Sequence, residues 1–104
     1  MTNNKISGFL GICRKAGKLV MGFDMTVDAM QKCTAEMVLL TSDCSERTAR
    51  NMKRIAVDTE TPIYILPLTM DEISYAVAKR AGVFAVCDSG FANKIKQLLE
   101  TATA

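Results

Sequence analysis

Apolar residues recur along this chain at the three- and four-residue spacing of amphipathic helices. Five segments show this spacing, and each predicts a helix of about three turns. The residues predicted to face the core are Ile6, Phe9, Leu10 and Cys13 in the first helix, Val27, Met30 and Cys33 in the second, Ala49, Met52, Ile55 and Ala56 in the third, Ile73, Ala76 and Val77 in the fourth, and Phe91, Ile95, Leu98 and Leu99 in the last. Gly17 and Gly22 mark the end of the first helix and the start of the second.

Short apolar runs alternate with these helices, and each predicts an extended strand, buried on both faces where the run is continuous. The runs lie at 18–21, 37–40, 63–66 and 83–87, and Pro62 precedes the third. The resulting order, α-β-α-β-α-β-α-β-α, is typical of an α/β fold. It predicts a three-layer α-β-α sandwich with a mixed sheet of about four strands and five helices.

Capping residues mark where several of the helices begin. Thr69 and Glu72 have the spacing of a capping box, with a hydroxyl and a carboxylate three residues apart. Asp88 stands at a similar turn before the last helix. Residues 42–45 offer several N-caps for the third helix, and Asp43 is expected to cap that helix.

Length and composition predict one globular domain spanning residues 1–104. Hydrophobic residues make up 49% of the chain and charged residues 23%, which argues against a disordered or fibrous class. No apolar run approaches the roughly 18–20 residues that span a bilayer, so we expect a cytoplasmic protein with no membrane partner. The four cysteines are expected to be reduced and mostly buried.

Enzymatic chemistry has little support in this sequence. The chain has no histidine, and its cysteines lack the spacing of a zinc site, so neither a zinc centre nor a nucleophile–histidine pair is expected. Asp43 follows a predicted strand, as a phosphoacceptor aspartate does, but Met21-Gly22-Phe23 stands where such sites need an acidic pair for Mg²⁺. We therefore expect no catalysis, no cofactor and no metal.

Positive charge is concentrated in the first half of the chain. Residues 1–57 carry nine lysines and arginines against five acidic residues, whereas residues 58–104 carry four against six. A basic half favours a polyanionic partner, and a set of merely solvated charges would give the same count.

The first candidate binding segment joins the first two helices. Arg14, Lys15 and Lys18 form a cationic cluster, and Gly22 opens a helix whose free N–H groups can receive an anion. A nucleic-acid backbone would fit this arrangement. In the alternative interpretation the cations are solvated helix ends and Gly22 is only a turn.

The second candidate segment precedes the last predicted strand. Lys79 and Arg80 lie there beside small residues at 81–82. In the alternative interpretation the two cations only cap the C-terminal end of the fourth helix. In an α/β sandwich of this order, the two segments could converge at one end of the sheet.

Five stretches of the chain carry a more specific pattern. They are LGICRKAGKLVMG at 10–22, KCTAEMVLLTSDCS at 32–45, PIY at 62–64, DEI at 71–73 with Ala76, and VCDSGFA at 86–92. They are spread from residue 10 to residue 92 and resemble the kink-turn-binding ribosomal protein family, especially its bacterial YlxQ-like branch, so the similarity covers nearly the whole chain.

This resemblance implies an α-β-α sandwich that binds kink-turns, which are RNA stems bent sharply at a bulge beside sheared G·A pairs. The bend widens the major groove enough to admit a helix end. The residues that would enter the groove are Gly22, Phe23, Asp24 and Met25. The residues that would cover the bulged nucleotides are Arg80, Ala81, Gly82 and Val83. Lys15 and Lys18 would hold the flanking phosphates.

The chain departs from the family's pattern at three positions. Family members place an Asn-Glu pair where this chain has Asp24 and Met25, and a lysine where it has Asp28. Asp24 cannot donate to a guanine, and Met25 is a weak acceptor. Loss of one bidentate base contact is worth roughly 1–3 kcal/mol, so binding is expected either to be about tens of fold weaker for a standard kink-turn or to be directed to another RNA.

Two hypotheses follow. In the first, the chain binds structured RNA of the kink-turn type, ribosomal RNA included, in a ribosomal or translation-associated context. In the second, the same fold is a protein-interaction module whose partners are the ribosome or translation factors, with weak or no specific RNA binding. A monomer is expected in either case.

Overall fold

Helices and strands alternate along the chain as the apolar pattern predicts. The computed structural model describes residues 2–103, with side chains for residues 5–101. Its elements are α1 (Thr2–Lys15), β1 (Leu19–Met21), α2 (Phe23–Gln31), β2 (Met37–Leu40), α3 (Glu46–Thr59), β3 (Ile63–Ile65), α4 (Met70–Val77), β4 (Val83–Val86) and α5 (Ser89–Thr103). The predicted order is therefore confirmed.

The four strands form one mixed sheet in the order β1-β4-β2-β3. β4 lies antiparallel to both β1 and β2, with Leu19 opposite Val86 and Leu40 opposite Val83. β2 and β3 are parallel. Hence β1, β2 and β3 run in one direction and β4 runs in the other.

Helices cover both faces of this sheet, which confirms the α-β-α sandwich. α1, α4 and α5 pack together on one face, and α2 packs with α3 on the other. The core under the first layer includes Phe84 and Ile95, and the core under the second includes Met30 and Met52. β2 and β4 contribute to both cores and are buried at every position, because successive strand residues point to opposite faces.

β3 differs from the predicted strand buried on both faces. It is an edge strand of the sheet, and the side chain of Ile65 is 54% exposed. The burial expected of this run falls instead on Leu66, one residue beyond the strand. An apolar run does not by itself distinguish an edge strand from a central one, because β-branched and aromatic residues suit both positions.

The second helix ends earlier than its apolar spacing predicts. α2 ends at Gln31, and Cys33 has a left-handed backbone with a φ of 60° and an exposed side chain. The N–H of Thr34 donates to the carbonyl of Ala29 at 2.9 Å, so the chain leaves the helix in a tight turn. The prediction that Cys33 faces the core is therefore wrong.

The cysteines are free thiols with different exposure. Cys13 is buried, whereas Cys44 and Cys87 are half-buried. The expectation of mostly buried thiols thus holds in full for Cys13 alone. Burial raises the pKa of the Cys13 thiol to about 11, and the neighbouring Cys87 and Asp88 act in the same direction.

Within residues 2–103, no helix has both the length and the apolar character needed to cross a membrane. The same residues contain no group of three or more histidine, cysteine, aspartate or glutamate side chains that could hold a metal ion.

Candidate functional site

The sheet topology places the starts of three helices at one edge of the molecule. This edge is formed by the ends of the strands, not by the outermost strands of the sheet. Because β1, β2 and β3 are co-directional, their carboxyl ends lie at the same edge, and α2, α3 and α4 all begin there. β4 runs in the opposite direction, so the loop that precedes it reaches the same edge. In α/β sheets this edge is the usual place for a ligand.

A groove of about 370 Å³ opens at this edge. The residues that line it are Gly22, Phe23, Cys44, Ser45, Thr48, Met70, Lys79, Arg80, Ala81, Gly82 and Val83. Seven of them were candidates from the sequence, drawn from both candidate segments. The structure therefore brings the start of α2 and the loop before β4 together, as the expected convergence requires.

A backbone hydrogen bond joins the two segments directly. The N–H of Gly22 donates to the carbonyl of Val83 at 2.9 Å. Gly22 has a φ of 99°, a conformation that glycine adopts at little cost and other residues rarely adopt. Gly22 is thus required both for the turn and for the entry into α2.

The N-terminus of α2 is open to a ligand. Gly22 is the N-cap and makes no side-chain hydrogen bond to the first turn. The first backbone N–H groups of a helix have no partner within it, and they carry the positive end of its dipole. This helix end can therefore receive an anion or a hydrogen-bond acceptor.

The neighbouring helix starts are closed by their own side chains. The Ser45 hydroxyl accepts from the N–H of Thr48 at 3.1 Å and caps α3. Thr69 and Glu72 form the predicted capping box of α4, with bonds of 3.2 and 2.9 Å. Only the start of α2 leaves its N–H groups uncapped among the three helices at this edge.

Asp43 has a different role from the one its position predicts. Its Oδ1 accepts from the N–H of Met70 at 3.0 Å, so it caps the start of α4, and Ser45 caps α3. Desolvation acts to raise the pKa of Asp43, but the bond from Met70 and the nearby charge of Arg80 act in the other direction. The pKa of Asp43 ends below its ordinary value of 3.8. The aspartate is an anion next to two residues that line the groove, Cys44 in sequence and Met70 through its hydrogen bond.

The loop before β4 runs back toward the start of α4. A Cβ at Gly82 would lie 3.3 Å from Sδ of Met70, so the loop is pressed against that helix start. Arg80 forms an ion pair with Asp71 in the first turn of α4. The interpretation in which Arg80 caps the C-terminal end of α4 is therefore wrong.

The exposed face of α2 is acidic. Asp24 is exposed, and the side chain of Met25 is 60% exposed beside it. Asp28 lies one turn further along and pairs with Lys32 at 3.1 Å. The groove edge therefore combines an anion-receptive helix end with carboxylates, and its arginine is already paired.

Three predicted site residues lie elsewhere. Arg14 and Lys15 end α1, and the carbonyl of Lys18 accepts from the N–H of Cys87 at 2.8 Å, beyond the far end of β4. Gly22 follows Lys18 by four positions of extended chain, a span of roughly 13 Å. The structure does not bring these three cations to the groove.

Sequence reasoning missed four residues that line the groove. They are Cys44, Ser45, Thr48 and Met70. Each lies just after a strand that is parallel to β1, so a correct strand order would have placed them there. The N-cap residues at 42–45 and the capping box of α4 did mark these helix starts in the sequence. That the two starts lie at one edge depends on the order and direction of the strands.

Comparison with known proteins gives a consistent result. Residues 4–96 match the family described as "Ribosomal protein L7Ae/L30e/S12e/Gadd45 family". A protein of Enterococcus faecium named "RNA-binding protein YlxQ" is 32% identical over 96 residues, with 92% of each chain covered. A Bacillus subtilis (strain 168) protein of the same name is 33% identical over 96 residues, with 88% of this chain and 91% of that one covered. The expectation of a non-enzymatic protein agrees with these descriptions.

Solved structures share the same architecture. A Bacillus halodurans protein described as having unknown function superposes with a TM-score of 0.85 at 25% identity, covering 92% of this chain and 97% of that one. A Giardia lamblia protein described as a 15.5kD RNA binding protein superposes with a TM-score of 0.75 at 10% identity, covering 96% and 86%. At that identity the second likeness shows the fold alone.

Proposed function

Because this chain belongs to the ribosomal protein L7Ae/L30e/S12e/Gadd45 family, we propose that it binds structured RNA and catalyses no reaction. The RNA lies at the edge where α2 begins and where the loop before β4 ends. The curated relatives named "RNA-binding protein YlxQ" cover about nine-tenths of this chain, which supports the transfer of RNA binding from them to this protein.

One observation carries the proposal. The uncapped start of α2 and the loop at Lys79–Val83 line a single groove and are joined by the bond between Gly22 and Val83. A helix end with free N–H groups can approach phosphates or base edges closely. The small side chains at 81–82 leave room for an unstacked nucleotide beside it.

The proposed ligand is a kink-turn or a similarly bent RNA. Sequence-specific recognition of RNA targets irregular sites, because the A-form major groove is otherwise too narrow for protein groups. A sharp bend at a bulge opens that groove to the start of α2, and the bulged nucleotides meet the loop before β4. The proposed setting is ribosomal or translation-associated, in the cytoplasm, with the protein acting as a monomer.

A pair of RNA hairpins tests this proposal. One carries a kink-turn with its sheared G·A pairs, and the other has those pairs replaced by Watson–Crick pairs of the same length. We expect tighter binding to the first hairpin, measured by fluorescence anisotropy at fixed salt. Equal affinity for the two hairpins would reduce the interaction to nonspecific attraction between charges.

A protein-interaction module is the second candidate function. Asp24 and Asp28 place negative charge on the proposed RNA face, and Met25 is an exposed apolar residue there. Such a surface also suits a protein partner, for instance a ribosomal protein or a translation factor. Affinity capture before and after nuclease treatment discriminates the two functions. Partners that persist after the RNA is destroyed favour the module, and partners that disappear favour RNA binding.

A further inference from the structure

The outer face of α3 carries a row of cations next to the groove. Arg47, Arg50 and Arg54 are exposed and spaced at i, i+3 and i+7, so they lie on one side of the helix. Lys53 is exposed beside them. The opposite side of α3 packs into the core through Met52 and other apolar residues. We call these four residues the α3 cationic row.

These cations have no acidic partner among the residues that the structure describes. The ion pairs found in that part of the chain are Asp28 with Lys32 and Arg80 with Asp71. The two carboxylates of α3, Glu46 and Asp58, form no ion pair with the row. Four of the chain's 13 lysines and arginines are therefore concentrated, unpaired, on one helix of 14 residues.

The row lies on the helix whose start forms part of the groove. The N-cap Ser45 and, in the first turn of α3, Thr48 line the groove, and Arg47 is the first exposed cation of that helix. From Arg47 to Arg54 the helix rises roughly 10 Å, so the row leads away from the groove along the surface. Arg50 and Lys53 also line a shallow depression of about 330 Å³ on this surface, together with Glu46 and Ala49.

The groove itself has little available positive charge, because Lys79 is the one unpaired cation among the residues that line it. Arg80 is paired with Asp71, and α2 presents Asp24 and Asp28 without a free cation. An RNA that enters the groove brings phosphates on both sides of the bound nucleotides, and those phosphates need cations nearby. Among the described residues, the α3 cationic row is a set of four unpaired cations on a helix whose start lines the groove.

We propose that the α3 cationic row binds the phosphate backbone of an RNA stem that extends from the groove. This inference rests on the proposed function, and it adds a second contact surface to it. The arginines suit the task because a guanidinium can donate two parallel hydrogen bonds to one phosphate. Contacts of this kind position an RNA without reading its sequence.

Salt dependence of binding tests the proposal. The test variant carries Arg47→Gln, Arg50→Gln and Arg54→Gln, and the matched control carries Lys5→Gln, Lys94→Gln and Lys96→Gln, which removes three charges from α1 and α5. Affinity for the kink-turn hairpin is measured between low and physiological salt. The slope of log affinity against log salt is expected to fall by about two to three in the test variant, because each phosphate contact contributes roughly 0.7–0.9.

Affinity at physiological salt is expected to fall at least about tenfold in the test variant and much less in the control. Circular dichroism melts verify that both variants fold. Hairpins in which one stem or the other is shortened then show which stem contacts α3. When that stem is removed, the wild type and the test variant should bind the hairpin with equal affinity.

The other outcomes are distinguishable. Equal losses in the test variant and the control would mean only a general effect of net charge and would overturn the inference. Unchanged affinity and salt slope in the test variant would overturn it while leaving RNA binding at the groove intact. If the triple variant loses capture of an acidic protein but keeps its RNA affinity, the row serves a protein partner and the inference is wrong. If the wild type binds neither hairpin, the proposed function fails and this inference fails with it.

Discussion

α2 and α3 lie side by side on one face of the sheet and present opposite charges to solvent. α2 carries two aspartates and no lysine or arginine, whereas α3 carries four lysines and arginines against two acidic residues. Their starts differ as well, because Gly22 leaves α2 uncapped and Ser45 closes α3 with its hydroxyl.

The two helices therefore have different proposed roles at the RNA surface. The start of α2 offers backbone N–H groups where a nucleotide must approach closely. α3 offers charge where a phosphate backbone needs only to be held. In the two proposals made above, close recognition and electrostatic attraction belong to different helices, which share one core.

Restoring the family pattern on α2 should have the largest effect. Asp24→Asn with Met25→Glu supplies an amide that donates and accepts and a carboxylate that accepts. Affinity for the kink-turn hairpin is expected to rise by about tens of fold, from contacts worth roughly 1–3 kcal/mol each. Fluorescence anisotropy with the intact and the Watson–Crick hairpins measures the change.

The matched control for this variant lies away from both the groove and the α3 cationic row. Ile12→Glu with Glu36→Gln likewise replaces an exposed apolar side chain by a carboxylate and an exposed carboxylate by its amide, and it should leave both affinities unchanged. A similar gain on both hairpins, or in the control, would show that α2 does not read the G·A pairs.

Reversing the charge of Arg80 should weaken binding by about tenfold, because a carboxylate then replaces a cation where the RNA enters the groove. The variant Arg80→Glu places a third carboxylate beside Asp71 and Asp43. Lys18→Glu makes the same charge change at the opposite edge of the sheet and should have little effect. Equal losses in the two variants would contradict the groove as the binding site.

Removing the cap of α3 tests the contrast between the two helix starts. Ser45→Ala should lower the free energy of unfolding by about 1 kcal/mol, because the N–H of Thr48 loses its acceptor. Chemical denaturation measures this change. Ser42→Ala, at an exposed position outside the helix, should stay within about 0.5 kcal/mol of the wild type. Equal effects would mean that the Ser45 hydroxyl does not stabilise the start of α3.

The smallest expected effect is a change in the rate of thiol labelling at one cysteine near each of the two helices. Cys44 lines the groove beside the start of α3, and Cys33 is exposed just after the end of α2. Burial and the neighbouring Asp43 raise the pKa of Cys44. Alkylation proceeds through the thiolate, so the rate at Cys44 should be low at neutral pH and keep rising above pH 9.

Bound kink-turn RNA should slow the alkylation of Cys44 and leave Cys33 unaffected, as mass spectrometry of the labelled peptides can measure. Equal protection of both cysteines would place the RNA across the end of α2 as well. No protection of Cys44 would place the RNA outside the groove.

Local sequence patterns predicted the elements well where the signal was chemical or periodic. The capping box of Thr69 and Glu72 is present as predicted, since it depends on two residues three positions apart. β2 and β4 were recognisable because strands covered on both faces need continuous apolar runs. The edge position of β3 was missed because the same apolar pattern serves edge and central strands.

The candidate site was predicted only in part. Gly22 and the loop at 79–83 were recognised by glycines, small residues and cations, and they do share a groove. Lys15 and Lys18 were placed with them because they are close in sequence, but β1 carries the chain across the sheet between Lys18 and Gly22. The pairing of Arg80 with Asp71 was not foreseen, because it depends on a loop that folds back along α4.

The sequence by itself determined the type and order of the helices and strands and the glycine turn that opens α2. These features follow from spacing, capping and backbone preferences within a few residues of each other. Only the tertiary structure decided which helix starts share an edge, which cations reach it and which arginine is already paired. Strand order and direction are set by contacts between residues far apart in the chain, and these contacts bring Val83 to Gly22 and hold Lys18 beside Cys87 at the opposite edge.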